Sequence, residues 1–159
     1  MFNVTSYINI AAIGKDPDKD VVWMMYGQHG VDVYSNGVMV SKKLAKDNPK
    51  AVAGLVAAIH KAVRDTVANP DEAIAALTAI EPLIKADMEK RRLTYALRTL
   101  MLSPEQAEIG IGDVVDARMK KAIDQVSDTF ALAAKPTAAD VFDRSFLPPK
   151  SGRVLKASF

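Results

Sequence analysis

The sequence contains no cysteine, and this absence excludes disulfides, thiolate metal ligands and cysteine nucleophiles. Only two residues are histidine, and without a nearby group of carboxylates they predict no metal site. No apolar run reaches the roughly eighteen residues that a membrane-spanning helix needs. The first residues, Met1 to Val4, also lack the basic and apolar regions of a secretory signal peptide.

Neither sign of charge predominates, because 21 basic and 19 acidic residues leave a net charge of +2. The densest basic run, Lys90 to Arg92, alternates with acids and is typical of a solvated helix face. Without clustered basic charge or a reading motif, we expect no nucleic-acid partner. The sequence also has no Ser-His-Asp arrangement, no glycine-rich phosphate loop and no carboxylate pair. We therefore expect a protein that is not an enzyme and that carries no cofactor.

The residues after position 41 predict about five helices. Hydrophobic residues make up 49% of the chain, and many of them are alanine, which favours helix over sheet. Asparagine followed by proline, at Asn48 and at Asn69, is a helix start with a capping side chain and proline at the first helical position. Ser41 is a further predicted N-cap, and Ser103 with Gln106 predicts a capping box.

The N-terminal part is different, because its pattern favours strands. Residues 21–26, VVWMMY, form a short apolar run typical of a buried strand. Residues 26–41, YGQHGVDVYSNGVMVS, predict a second strand that bends at Gly30 and near Gly37. A sheet of two strands is not stable alone. These strands therefore need partners encoded elsewhere or supplied by a second copy, and the polar, glycine-rich strand is a candidate ligand site.

Several segments together resemble one family, over nearly the whole chain. They are YGQHGVDVYSNGVMVS, DNPKAVAGLVAAIHKAVRDTVANPDEAI, EPLI, LSPEQAEIGIGDVVDARMKKAIDQVSDTF and VFDRSFLPP. In order and spacing they are similar to the C-terminal half of the periplasmic substrate-binding proteins of ABC importers. The branch is the one for nitrate, sulfonates, taurine and thiamine-pyrimidine precursors.

The resemblance implies an α/β fold, mostly helical with two or three N-terminal strands. It would be part of the two-lobed fold of type II periplasmic binding proteins. Residues 1–30 would end the second lobe, 31–40 would be the hinge-crossing strand, and 41–159 would be the helical C-terminal part of the first lobe. The secretion signal, the sheet of the first lobe and most of the second lobe would then lie upstream, so the chain is expected to be a C-terminal fragment of a periplasmic protein.

The resemblance also implies ligand contacts near the start of the chain. Tyr7 would stack on a solute and Asn9 would hydrogen-bond to it, where relatives carry an aromatic residue and an asparagine facing the cleft. Ile10 stands where relatives often carry glutamate, which disfavours a cationic thiamine precursor and favours an anion. Tyr26, at a predicted strand end, and His29 are further candidates for the cleft. Each of these residues also has a purely structural interpretation.

The hinge region supplies the other candidates. Tyr34, Ser35, Asn36 and Gly37 are expected to contact ligand or to move on closure, although Ser-Asn-Gly is also ordinary turn chemistry. Gly30 and Asp32 are expected to be structural hinge residues.

The function that follows is capture of a small anionic or heteroaromatic organic solute by lobe closure, and delivery to an ABC permease in the membrane. One alternative is an enzyme of thiamine-pyrimidine synthesis from the same superfamily, although those relatives carry a cysteine-rich motif that this chain lacks. Another is a fragment that binds nothing and forms a homodimer through unpaired strands.

Overall fold

A computed structural model describes residues 2–156, and helices make up most of that part of the chain. Its eight α-helices are α1 (Asn3–Ala12), α2 (Lys42–Asp47), α3 (Pro49–Ala68), α4 (Pro70–Ile80), α5 (Ala86–Ala96), α6 (Pro104–Ile109), α7 (Asp116–Thr129) and α8 (Ala138–Val141). A π-helical turn, Leu97–Met101, continues α5 without a break. Short 3-10 turns occupy Tyr26–His29, Arg144–Phe146 and Lys150–Gly152.

The predicted N-terminal strands are wrong, and so is the α/β class, because residues 2–156 contain no strand and the fold is all-α. Residues 21–25 are extended but unpaired, and a 3-10 turn follows that ends at Gly30 with φ of +89°. Residues 31–41 contain no helix, turn or bend and form no strand ladder, although the amide of Val31 donates to the carbonyl of Tyr26 at 3.0 Å. A segment rich in β-branched residues has only a preference for strand conformation. A strand forms only where the backbone of a neighbouring segment provides the hydrogen bonds of a ladder.

The local signals for helix starts are confirmed at four positions. Ser41 accepts a hydrogen bond from the amide of Leu44, which begins α2. Asn48 and Asn69 cap α3 and α4 in the same way, each followed by proline at the first helical position. Ser103 accepts from the amide of Gln106 and begins α6, again followed by proline. Each cap satisfies an amide that has no partner inside its own helix.

One part of the predicted capping box is wrong, because the side chain of Gln106 does not turn back to Ser103. Its Oε1 accepts from the amide of Leu155 at 2.9 Å, and its Nε2 donates to the carbonyl of the same residue at 3.3 Å. Gln106 is buried, and the C-terminal tail supplies both partners of its amide group. This tertiary contact outcompetes the local one.

The core lies where α3, the end of α5 and the tail meet. Val67, Leu97 and Leu155 are almost fully buried there, with exposed fractions of 6% or less. Half-buried apolar residues surround them, namely Val63, Leu93, Met101, Leu102 and Ile111. The tail therefore completes the core instead of lying on its surface.

Arg153 fixes the tail in place. Its buried guanidinium donates to the carbonyls of Pro148, Ile109 and Ile111 at 2.8 to 3.2 Å, and to the carboxylate of Asp113 at 3.1 Å. The carbonyl of Arg153 in turn accepts from the amide of Ile111 at 2.8 Å. In the described part of the chain, no helix combines the length and the apolar character that crossing a bilayer requires.

Candidate functional site

An open groove of about 440 Å³ lies on the side of the molecule where α1 packs against α5. Its size is within the range of pockets that bind small molecules. One side is Tyr7 of α1, and the rest comes from α5 and the π-helical turn after it. The residues that line it are Tyr7, Asp87, Lys90, Arg91, Thr94, Tyr95, Arg98 and Thr99.

The α5 side of the groove follows from helical spacing. Asp87, Arg91 and Tyr95 recur at intervals of four residues, and Lys90 and Thr94 lie beside them on the same face. The adjacent Arg92 points to a different face, where its Nε donates to Glu89 at 3.1 Å. The π-helical turn then continues the groove through Arg98 and Thr99.

Tyr7 anchors an aromatic cluster at this groove. Its ring stacks on that of Tyr95 with centroids 3.9 Å apart and planes inclined by 22°, and the ring of Trp23 lies 6.3 Å away. Its hydroxyl donates to Asp18 at 2.6 Å, and this hydrogen bond, followed by burial, raises the pKa of Tyr7. The indole of Trp23 donates to the carbonyl of Pro17 at 2.8 Å.

These contacts limit what Tyr7 offers a solute. Only 7% of it is exposed, one ring face is occupied by Tyr95, and its hydroxyl is engaged by Asp18. Tyr95 is half-buried and is the more accessible of the two rings. Burial also raises its pKa, so both tyrosines are neutral hydrogen-bonding groups near pH 7.

Positive charge dominates the polar part of the groove, where three cationic side chains face one carboxylate. The guanidinium of Arg91 lies 5.5 Å from the centre of the Tyr7 ring, within the range of a cation–π contact. Lys90 is paired with Asp71 of α4, although both side chains are more than half exposed. Arg98 and Asp87 complete the charged lining. The balance suits an anion with an organic body.

The other predicted ligand residues lie outside this lining. Asn9 is exposed on α1, and Tyr26 and His29 are exposed in the 3-10 turn that follows the first extended segment. Ser35, Asn36 and Gly37 are exposed in the second extended segment. The ligand contacts predicted for these residues stay predictions.

Tyr34 belongs to a second polar network, between the extended segment and the helices α6 and α7. Its hydroxyl donates to Glu105 at 2.7 Å and accepts from the amide of Val115 at 2.7 Å. The guanidinium of Arg118 lies 4.1 Å from the centre of its ring. Burial, which outweighs the opposing effect of the amide of Val115, raises the pKa of Tyr34.

The two predicted hinge residues are held by the same network. Asp32 pairs with Arg118 at 2.8 Å, and Arg118 also pairs with Glu105 at 3.1 Å. The carbonyl of Gly30 accepts from the side chain of Gln125 at 2.7 Å. Residues 30–34 are thus fastened to α6 and α7, and the predicted hinge motion is neither shown nor contradicted by these contacts.

The sequence pattern does not identify the α5 face of the groove, because Lys90 to Arg92 are typical of one solvated run. The spacing of Asp87, Arg91 and Tyr95 could have shown that polar and aromatic groups share one side of the helix. Within residues 2–156, no three histidine or carboxylate side chains are grouped closely enough to hold a metal ion.

The comparisons with known proteins give one match. A family model described as "NMT1/THI5 like" matches residues 3–73, which is less than half of the 159 residues. That family comprises substrate-binding proteins of ABC transporters for nitrate, sulfonates and thiamine precursors. No curated protein and no solved structure is significantly similar to the chain. The match includes α1 and the extended segments but ends before α5, and it supports a solute-binding role in ABC transport.

Proposed function

We propose that this chain binds a small organic anion for ABC import and that the groove between α1 and α5 is its binding site. The family match to residues 3–73 supports the solute-binding role. The observation that carries the choice of site is the set of three cationic side chains beside a tyrosine pair. Among the solutes of the family, a sulfonate fits this lining best.

The charges of the groove argue against a cationic thiamine precursor. Lys90, Arg91 and Arg98 oppose a positive ligand, whereas Asp87 is a single counter-charge. A sulfonate presents three oxygen acceptors to guanidinium and hydroxyl donors, and its carbon body can contact the ring of Tyr95. The hydroxyl of Thr94 is a further donor on the same face.

In this proposal the protein captures the solute and carries out no reaction on it. The groove is open to solvent, so a bound solute would be enclosed only when another surface closes over it. The family suggests two further steps in the periplasm. A second lobe closes over the solute, and the solute is then delivered to a permease in the membrane. The enzyme alternative requires a pyridoxal group and iron, so visible absorbance and metal analysis of the purified protein distinguish it.

The test is calorimetric titration of the purified chain with ethanesulfonate, taurine, nitrate and a neutral aminopyrimidine. Ethanesulfonate or taurine is expected to bind, and the neutral pyrimidine is not. Arg91→Gln is expected to weaken sulfonate binding by about tenfold, because a hydrogen bond to a charged group is lost.

Arg92→Gln is the matched control, since Arg92 follows directly on the same helix but pairs with Glu89 on another face. It is expected to bind sulfonate as the wild-type chain does. The proposed site is wrong if both substitutions weaken binding equally, and the proposed solute class is wrong if the folded chain binds no sulfonate.

A further inference from the structure

Residues 35–40, called the open segment below, have no backbone hydrogen bond to any residue in the range 2–156. The chain there has no helix, turn or bend, and most of its side chains are exposed, including 55% of Val38 and 94% of Met39. An extended backbone with free amides and carbonyls is a template for pairing with another strand.

Both ends of the open segment are fixed. On one side the hydroxyl of Tyr34 joins Glu105 and the amide of Val115, and on the other Ser41 caps α2. A segment whose two ends are held in place loses less conformational freedom when it pairs. This arrangement favours association at the open segment over association at a free terminus.

Charge indicates which strand would pair there. Residues 33–41 carry no charge, whereas Asp32 precedes them and Lys42 and Lys43 follow. When two copies of such a segment run antiparallel, Asp32 of each, which also pairs with Arg118 of its own copy and is half-buried, meets the basic flank of the other. A parallel arrangement would instead place like charges together. The segment is thus electrostatically complementary to itself in one direction.

We propose that the open segment pairs antiparallel with the open segment of a second copy, with Gly37 facing Gly37 on a twofold axis. In this register Ser35 lies opposite Met39, and Asp32 lies opposite Lys42 of the other copy. The interface is isologous, so it closes at two copies. This association is independent of solute binding at the groove between α1 and α5.

The first test is sedimentation velocity of the purified chain at micromolar concentrations, where a dimer is expected. Gly37→Glu places like charges opposite each other and is expected to weaken the dimer by about tenfold at low salt. The change is tolerated within one copy, because a Cβ atom at Gly37 meets no atom within 4 Å. Mixing Gly37→Glu with Gly37→Lys is expected to restore a heterodimer.

Direction is tested with cysteine, because the natural chain has none and gives no background. Ser35→Cys mixed with Met39→Cys is expected to form an intermolecular disulfide on oxidation, and neither variant alone is expected to do so. As a control, Ile80→Glu changes an exposed apolar residue on α4 and should leave the dimer unchanged. Circular dichroism confirms that each variant is folded.

A monomeric wild-type chain overturns the proposal, and so does a Gly37→Glu variant that dimerises normally. Failure of the charge swap, or a disulfide formed by Ser35→Cys alone, overturns the proposed register. Arg91→Gln, which tests the groove, is expected to leave the dimer unchanged. Loss of sulfonate binding and loss of dimerisation therefore remain separate results.

Discussion

Two segments of this chain are not helical, but one is hydrogen-bonded and buried and the other is not. The tail segment, residues 153–155, has its backbone paired with Gln106 and Ile111, and Arg153 and Leu155 are each only 6% exposed. The open segment, residues 35–40, has no backbone partner in the described part of the chain, and 94% of Met39 is exposed.

The difference teaches that partners, and not local conformation, decide whether an irregular segment belongs to the core. Buried backbone groups must be hydrogen-bonded, and the tail meets this condition through a side-chain amide and a guanidinium. The open segment leaves its backbone groups to solvent, and Val38 and Met39 remain exposed. Substitutions in the tail should therefore cost much more stability than substitutions in the open segment.

The largest effect is expected from Arg153→Ala. The guanidinium joins three carbonyls and Asp113, and its removal leaves these carbonyls without this donor and the half-buried carboxylate with Arg144 as its remaining ion-pair partner. We expect a loss of about 3–5 kcal/mol in the free energy of unfolding, as for other broken buried ion pairs. Urea denaturation followed by circular dichroism measures it.

Lys156→Ala is the control for this change, because Lys156 is exposed and adjacent in the tail. It is expected to alter stability by less than about 0.5 kcal/mol. Equal effects of the two substitutions would show that Arg153 does not fasten the tail.

The next effect compares two glycines, one under the tail and one in the open segment. Gly110 has φ of +85° and ψ of 149°, and a Cβ atom there would lie 2.9 Å from Arg153. Gly110→Ala is expected to cost about 2–4 kcal/mol through backbone strain and displacement of Arg153. At Gly37 the added Cβ atom of alanine meets open space, and alanine also reduces the conformational freedom of the unfolded chain. Gly37→Ala is therefore expected to change the free energy of unfolding by no more than about 1 kcal/mol.

Thermal unfolding of both variants measures this contrast directly. A strongly destabilised Gly37→Ala variant would mean that the open segment is packed in solution in a way that its exposure does not show. A tolerated Gly110→Ala variant would mean that the tail can shift without loss.

A third effect depends on pH and involves Asp113, which fastens the tail through Arg153 and Arg144. Burial alone would raise the pKa of Asp113, but hydrogen bonds from Arg144 and the amide of Val114, with the charge of Arg153, lower it overall. A carboxyl with a lowered pKa stabilises the folded state above its ordinary value of about 3.9, and this contribution disappears as the pH falls through the folded-state pKa.

Asp113→Asn should therefore lower the free energy of unfolding by about 1–3 kcal/mol at pH 7. Below about pH 4 the difference from the wild-type chain should shrink. Urea denaturation between pH 7 and pH 2 measures both. Asp124→Asn is the control, because that carboxylate pairs with Lys120 and Lys135 at the surface, away from the tail. A difference that stayed constant down to pH 2 would contradict the assignment to Asp113.

The helices could be predicted from sequence and the irregular segments could not, for one physical reason. A cap such as Asn48 or Asn69 acts on an amide three residues away, so the sequence contains both partners side by side. The tail pairs with residues more than forty positions away, and the strands predicted at 21–40 required partners that no local pattern can supply. β-branched residues indicated strand there, but no ladder formed.

The candidate site divides in the same way. The family resemblance predicts a ligand contact for Tyr7, whereas its stacking on Tyr95 joins residues far apart in sequence and has no local signal. Arg91 and Arg92 look alike in a basic run, and only the helical rotation between them places one at the groove and the other against Glu89. The contact of Tyr34 with Glu105 spans 71 positions and has no local signal.

The smallest expected effect tests how firmly the open segment is fastened at its N-terminal side. Tyr34→Phe removes one hydroxyl, so Glu105 loses a donor and the amide of Val115 loses its acceptor, while Arg118 keeps the ring. We expect a loss of about 1 kcal/mol, since water can reach this half-buried site. At a concentration below that of dimer formation, hydrogen exchange should quicken at Val115, and exchange at residues 35–40 should remain fast in both proteins because those amides have no backbone partner within one copy. Tyr26→Phe is the control, as Tyr26 is 71% exposed. Slow exchange at residues 35–40 in the monomeric wild-type chain that Tyr34→Phe abolished would instead mean that the open segment is already paired within one copy and that Tyr34 holds it in place.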